Sequence, residues 1–587
     1  MSNPLKWLRK PINLVLMAIA TTLFVISQVT ISQALAPHEN HYEIWGSDQS
    51  NSVPGVESLG VQGGLIWIWD SQDVEQQITS GVTAQPLGCD GQNRPGDGPC
   101  DVNVVFPPNL AEYDQNRPTG KTLGDLPGFG RLHGMLTDPQ NKYLNVNLFT
   151  PGGGYVGIMD GETKEAIALF RVTATNASGP ERSVHMSFWN SDGSALLLAN
   201  LNGKLLERID IVRNQDGKII NAIYNKTASL GVGKGMEVVD SAKVYRGKNA
   251  HNHDLVGKVL GNYNPTALAD LTPSGQCKEN GCTAENNASQ GGRPNNLIIC
   301  PIVSSLDHTY ITLAAGGLLV ADTKTTPMSI IGEYSNEVVN GAGCGGVEVD
   351  GTIWLNAGVS ASDAGATQST FSLYNLDDRA FSNRPNPPNT PAPVVVYKDP
   401  TNTTTNGHIG GEAANTTGQL PGTTTRHDNH GMAATVSGAY LHNTDRIQNR
   451  IQVFNTQTLD RTDYDLTSAD GHGKGLGACA AASITDDSNL PTNDPAPDLM
   501  EPSPDGKYLF VAFRGPLPVS VGHSSQGSCP GVGVVELTEN GASGRLVSVL
   551  RSSNVTDSAL SSIAGGHDYQ GSEHSDLHGV AIRRHSH

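Results

Sequence analysis

The chain has 587 residues, of which 16% are charged and 67 are glycine, and its formal charge at neutral pH is -19. That acidic balance excludes a nucleic-acid binder working through a basic face, because phosphate contacts need clustered Lys and Arg. Sparse charge with abundant Gly, Asn, Ser and Thr argues for short strands and many turns, hence an all-β class, and the length is compatible with one such domain.

Residues 1–36 read as a secretory signal: Lys6, Arg9 and Lys10 precede an apolar run from Ile12 to Ile26, and Ala34-Leu35-Ala36 offers a small-residue cleavage site. Pro37 beyond that site, and the length of the run, leave an uncleaved anchor as the alternative. No later stretch reaches membrane-spanning length, so residues 37–587 are expected to form a single exported domain, periplasmic or extracellular. Eight Cys in an exported chain favour disulfides, and the expected pairs are Cys89 with Cys100, Cys277 with Cys282, and Cys479 with Cys529. Spacing alone does not fix this connectivity.

The strand signals recur along the chain. Leu65-Ile-Trp-Ile-Trp69 comes first, followed by Thr137–Val146, Asn190–Leu198, Ser305–Leu313, Val349–Leu355, Val436–Leu441 and Glu501–Phe513, each a turn leading into an apolar strand. A second alternating run follows most of them, as at Tyr155–Met159, Gly317–Asp322, Phe371–Tyr374, Arg450–Phe454 and Gly533–Leu537. Gly152-Gly-Gly154 reads as a hairpin turn, since it lacks the Lys and the helix of a phosphate loop.

Glu501-Pro-Ser-Pro-Asp-Gly-Lys-Tyr-Leu-Phe-Val-Ala-Phe513 resembles the repeat of YVTN and lactonase-type propellers, in which a Pro-Asp-Gly turn joins the innermost strand of a blade to the next. The resemblance implies a seven-bladed β-propeller, with Leu577–Ile582 and Leu65–Trp69 joining the two termini in one blade and so removing an exposed sheet edge. On this layout the long insertions, at about 83–130, 225–295, 399–428, 467–497, 514–530 and 552–575, crowd one face, where binding or catalysis is usually placed.

Four segments share an apolar residue, or Asn, followed by His and then Gly or Met: Leu132-His133-Gly134, Val184-His185-Met186, Asn429-His430-Gly431 and Leu577-His578-Gly579. Seven residues before each inner turn, the channel-entry positions are His133, His185, Cys300, Gly343, His430 and Asp498, with His578 in the closing blade. Neutral imidazoles around one axis bind copper, iron or zinc without crowding charge. The arrangement is similar, in architecture alone, to carotenoid oxygenases and nitrous oxide reductases, propeller metalloenzymes with axial His.

The expectation is therefore an exported, copper- or iron-dependent oxidoreductase acting on a small molecule, with His133, His185, His430 and His578 as ligands and His427 as acid or base. Additional ligand candidates are Cys300, Cys344, Asp498, His251 and His253. Cys300 and Cys344 read first as a disulfide and alternatively as thiolate ligands. Glu501, Glu573 and Asp576 are candidates to orient ligand imidazoles or to cap turns. Calcium is a further candidate cofactor at the Asp-rich stretches 485–488 and 493–494, although they lack the spacing of a calcium loop. The alternatives are a solvated polar channel lining and a non-catalytic propeller that binds a protein, glycan or metal ion through its loop-rich face.

Overall fold

Short apolar runs punctuated by Asp, Asn, Ser and Thr turns fold into antiparallel meanders, and the meanders pack around an axis as an all-β propeller. The computed structural model describes residues 41–49, 64–89, 96–114, 117–125, 131–150, 153–175, 184–201, 203–231, 238–262, 298–313, 316–334, 338–339, 341, 343–357, 371–381, 391–398, 428–446, 449–466, 495–515, 527, 529–554 and 575–585. The signal segment, Cys277, Cys282, Cys479, His427, Glu573 and both Asp-rich stretches lie outside them, as do most of the four insertions after residue 398. No helix among the described residues is long and apolar enough to cross a membrane.

Each sheet is referred to by the residue at the entry of its innermost strand. The Cys300, Cys344, His430 and Asp498 sheets are four-stranded meanders in simple chain order. Their innermost strands are Ile298–Val303, Gly346–Val349, Asn429–Ala434 and Pro497–Pro502.

Uniform four-stranded blades are not what forms elsewhere. The His185 sheet has six strands, the last of its meander, Ile219–Asn225, pairing in parallel with Lys258–Leu260. The His133 sheet has seven, because Lys243–Arg246 adds to Ala166–Arg171 and brings Ala111–Asp114 and Arg117–Thr122 with it. Parts of the insertions at 83–130 and 225–295 are thus outer strands that cover a sheet edge rather than loops on one face.

The first and last described strands meet in a four-stranded sheet whose innermost strand is Leu577–Arg584. The strand beside it is Tyr42–Asp48, and Leu65–Asp70 is one place further out, followed by Cys100–Asp101. The sequence reading passed over Tyr42–Asp48 because its Glu43, Gly46, Ser47 and Asp48 interrupt the apolar pattern. All four face protein and are buried. A helix, Ser71–Ser80, follows, capped by the Asp70 side chain on Gln72 N and by Gly81 at φ 72°.

The turns between first and second strands repeat one device. A side-chain oxygen at the turn entrance accepts a hydrogen bond from the first amide of the next strand: Asp138 to Tyr143, Asn190 to Ala195, Ser304 to His308, Thr435 to Tyr440 and Ser503 to Tyr508. Late in the turn the backbone goes left-handed, at Gly193, Gly438 and Gly506 but also at Asn141 and Asp307. Asn and Asp tolerate that conformation, which explains why most copies of the Pro-Asp-Gly repeat look degenerate.

Neighbouring sheets are also tied by buried polar groups. His442 in the His430 sheet donates from Nε2 to Gly541 O in the Asp498 sheet at 2.9 Å and accepts at Nδ1 from the Tyr464 hydroxyl at 3.1 Å. Burial, only partly opposed by the Gly541 contact, lowers its pKa to about 4. The folded state therefore holds His442 neutral where the unfolded chain protonates it, so this stabilisation is complete above pH 6.5 and is lost as pH falls toward 4. The expected loss is about 3 kcal/mol. Denaturant unfolding at pH 7 and pH 4.5 should show a smaller difference for His442→Gln than for the parent; an unchanged difference would rule the coupling out.

Candidate functional site at the propeller axis

The innermost strands do not run smoothly past the axis. In six of them the pairing slips by one residue at the axial position, around His133, His185, Cys300, His430, Asp498 and His578. Such bulges bend a strand and re-aim a side chain. Here one recurs at each of these candidate positions.

The glycine after three of the histidines has a steric reason. A Cβ on Gly431 would lie 2.3 Å from Asp498 O, one on Gly134 would lie 2.5 Å from Met186 Sδ, and one on Gly579 would lie 2.8 Å from Ser47 Oγ. Gly431 and Gly134 thus let neighbouring inner strands approach closely, and Gly579 makes room for Ser47 on the adjacent strand of its own sheet.

The imidazoles themselves touch. The His133 ring lies 3.9 Å from that of His185 and 4.0 Å from that of His578, centroid to centroid, and His430 is 5.2 Å from His578. All four are buried, the most accessible being His185 at 4%. His578 Nδ1 donates to the His133 carbonyl at 3.0 Å, and His430 Nδ1 donates to Asp498. In the neutral tautomers this leaves Nε2 as the lone-pair atom on both rings. His430, Asp498 and His578 each offer one ligand atom within 4.8 Å of the others.

Burial lowers the pKa of both His430 and His578; Arg514 reinforces the effect at His578, whereas Asp498 opposes it at His430. Both are held in the form that binds metals. Burial would raise the Asp498 pKa, but His430, Arg446 and Arg514 together hold it well below the usual carboxylate range.

Arg446 and Arg514 were not anticipated. Each directly follows the second strand of its sheet, and both are fully buried. Arg446 donates to Asp428 at 2.8 and 3.0 Å and to Asp498 at 3.2 Å; Arg514 donates to Asp498 at 2.8 Å and to Asp576 at 2.6 and 2.7 Å. Asp428 and Asp576 stand two residues before His430 and His578, so Asp-x-His followed by an Arg after the second strand was the available signal. With Asp48, which accepts from Ser575 and from the Asp576 amide, four carboxylates face two guanidinium groups and leave the network formally negative.

Cys300 and Cys344 form a disulfide, as the first reading expected, and both sulfurs lie beside His185 Nδ1, at 3.8 and 3.9 Å. Cys89 and Cys100 are bonded as expected, and Cys529 is disulfide-bonded. Gly343 is buried and accepts from Thr312 Oγ1.

Other candidates lie apart from the axial groups. His251 and His253 sit against Glu165, with His253 Nδ1 at 2.6 Å and His251 Nδ1 at 3.6 Å. The reason is topological: Lys243–Arg246 runs antiparallel to Ala166–Arg171 and carries the chain to the tight-turn face, opposite the one expected. Glu501 lies three residues beyond Asp498, toward that same face, and does not orient an imidazole; Asp576 orients Arg514 instead.

No known family model matches the chain, and no curated protein does. Solved structures similar to it include a protein of Lactobacillus plantarum, with 9% identity and a TM-score of 0.43, covering 92% of this chain and 99% of that one. Another is the periplasmic gluconolactonase of Pseudomonas aeruginosa, with 9% identity and a TM-score of 0.41, covering 87% and 98%. Hydrazine synthase of Kuenenia stuttgartiensis is also similar, with 13% identity and a TM-score of 0.33, covering 72% and 80%. These likenesses concern the fold alone.

Proposed function

We propose that the axial cluster is a binding site for a transition-metal cation, copper or iron, and that this protein is an exported metal-dependent oxidoreductase. The observation that carries the reading is the convergence, from four separate sheets, of His133, His185, His430 and His578 into mutual contact beside Asp498. Tautomers that present Nε2 on His430 and His578, together with a formally negative surround, favour a cation there. A bound redox metal would supply Lewis acidity or electron transfer to a small reactant; the chain's part is to hold the imidazoles neutral, fix their tautomers and exclude bulk water. The disulfides support an oxidising compartment.

The test is elemental analysis of untagged protein beside a His133→Ala/His185→Ala variant. Near-stoichiometric copper or iron, lost in a variant whose far-ultraviolet circular dichroism is unchanged, is the expected result. No metal on isolation and none taken up on reconstitution would overturn the reading and leave a polar, metal-free channel lining.

A further inference from the structure

The axial strands continue past the histidines to the tight-turn face and end around a cavity of about 710 Å³. Its wall includes Leu136, Phe188, Val303 and Glu501, each three residues beyond an axial residue, and Ile582, four beyond His578. At the rise of a strand this places the cavity about 10 Å below the imidazole layer. All five are only partly buried, although the axial residues above them are closed off; their remaining surface lies on the cavity.

Glu501 is the anomaly in this wall. Its carboxyl group makes no hydrogen bond or ion pair among the described residues. Burial alone pushes its pKa up to about 7. The other acids around the cavity are engaged, and Arg584, which also lines it, reaches solvent. Asp138 pairs with Arg213 at 2.8 Å, Glu348 accepts from Ser305, and Asp505 accepts from Ser503. A carboxylate that faces a cavity without a protein partner is placed to take a cation delivered by a ligand. The wall mixes these apolar side chains with Ser, Thr and Asn, and its second acid, Asp138, is held by Arg213, so one free carboxylate is left, fewer charged donors than a metal ion usually takes.

We infer that this cavity is a binding site for a small organic ammonium ion, its charged nitrogen on Glu501 and its apolar body against Leu136, Phe188, Val303 and Ile582. The site is independent of the axial metal reading. An aromatic ammonium gains further contact with the Phe188 ring and with Trp189, whose indole is fixed by its bond to Leu136 O at 3.1 Å.

The experiment is calorimetric titration of the full chain at pH 8 with benzylammonium, benzyl alcohol and benzoate, repeated with Glu501→Gln. Benzylammonium should bind saturably and at least tenfold more tightly than the alcohol, benzoate should bind more weakly than either, and Glu501→Gln should abolish the preference for the cation. Binding should weaken as pH falls below 7 and Glu501 takes up a proton. Glu501→Gln should also unfold at a higher temperature than the parent at pH 8, because a carboxyl whose folded pKa is raised costs stability above that pKa; this second readout shows that the variant is folded. No saturable binding, equal affinity for ammonium and alcohol, or a preference that survives Glu501→Gln would overturn the assignment.

Discussion

Asp498→Ala is expected to lower the unfolding free energy by about 3–5 kcal/mol, because it leaves buried cations without their shared acceptor. Arg446 and Arg514 both donate to Asp498 Oδ2, and neither side chain reaches solvent. Each keeps one carboxylate, Asp428 or Asp576, but the carboxylate joining the two halves of the network is gone. In a protein whose total stability is of order 5–15 kcal/mol, that is a large fraction. Asp498→Asn keeps the volume and part of the hydrogen bonding and should cost less, while still weakening metal uptake. Denaturant unfolding of the two variants beside His430→Ala, which removes a ring held neutral, separates charge from packing. A loss under about 1 kcal/mol for Asp498→Ala would mean that the network is not coupled as drawn.

Glu43→Gln should be nearly as damaging at the opposite end of the ring closure. Glu43 accepts from Lys164 Nζ at 2.8 and 2.9 Å, from Arg583 Nε at 2.8 Å and from Trp45 Nε1 at 2.9 Å, joining the first strand, the last strand and the His133 sheet. Burial would raise the Glu43 pKa, but Lys164 and Arg583 bring it down to about 2. Burial lowers the Lys164 pKa to about 8 despite Glu43, so the two partners report opposite gains and the ion pair as built comes close to breaking even.

Breaking it is different. With Gln at position 43, buried Lys164 loses its carboxylate and buried Arg583 keeps only the more exposed Glu162, and the expected cost is about 3–5 kcal/mol. The pH signature has a definite sign. A depressed carboxylate pKa gives stability that is complete above about pH 4.5 and is lost as pH falls toward 2, about 3 kcal/mol in all. Acid unfolding of Glu43→Gln should lack that component. If its acid limb superimposes on the parent's after normalisation, Glu43 does not titrate as argued.

Much of the fold was legible because it is local. The Glu501–Phe513 repeat, the alternating runs and the turn oxygens at Asp138, Asn190 and Ser503 are properties of a few neighbouring residues, and the strands follow from them. Tyr42–Asp48 escaped notice for the opposite reason: its polar residues are buried only because the terminal strand, Lys164 and Arg583 surround them. The outer strands of the His133 sheet escaped because Lys243–Arg246 and Ala111–Asp114 are too short to carry a period and form only where an edge is offered.

For the site, what the amino-acid sequence determined by itself was the recurrence of His at the same position in four modules and of Gly after three of them, since a repeat in sequence becomes a repeat in space once the modules close around an axis. Only the tertiary structure decided that the imidazoles meet, because their contact depends on one-residue bulges in the inner strands and on backbone approaches a Cβ would block. It also decided which charges join them. Arg446 lies 52 residues from Asp498 and Arg514 lies 62 residues from Asp576, each pair joining two sheets, and a contact between sheets has no period to read.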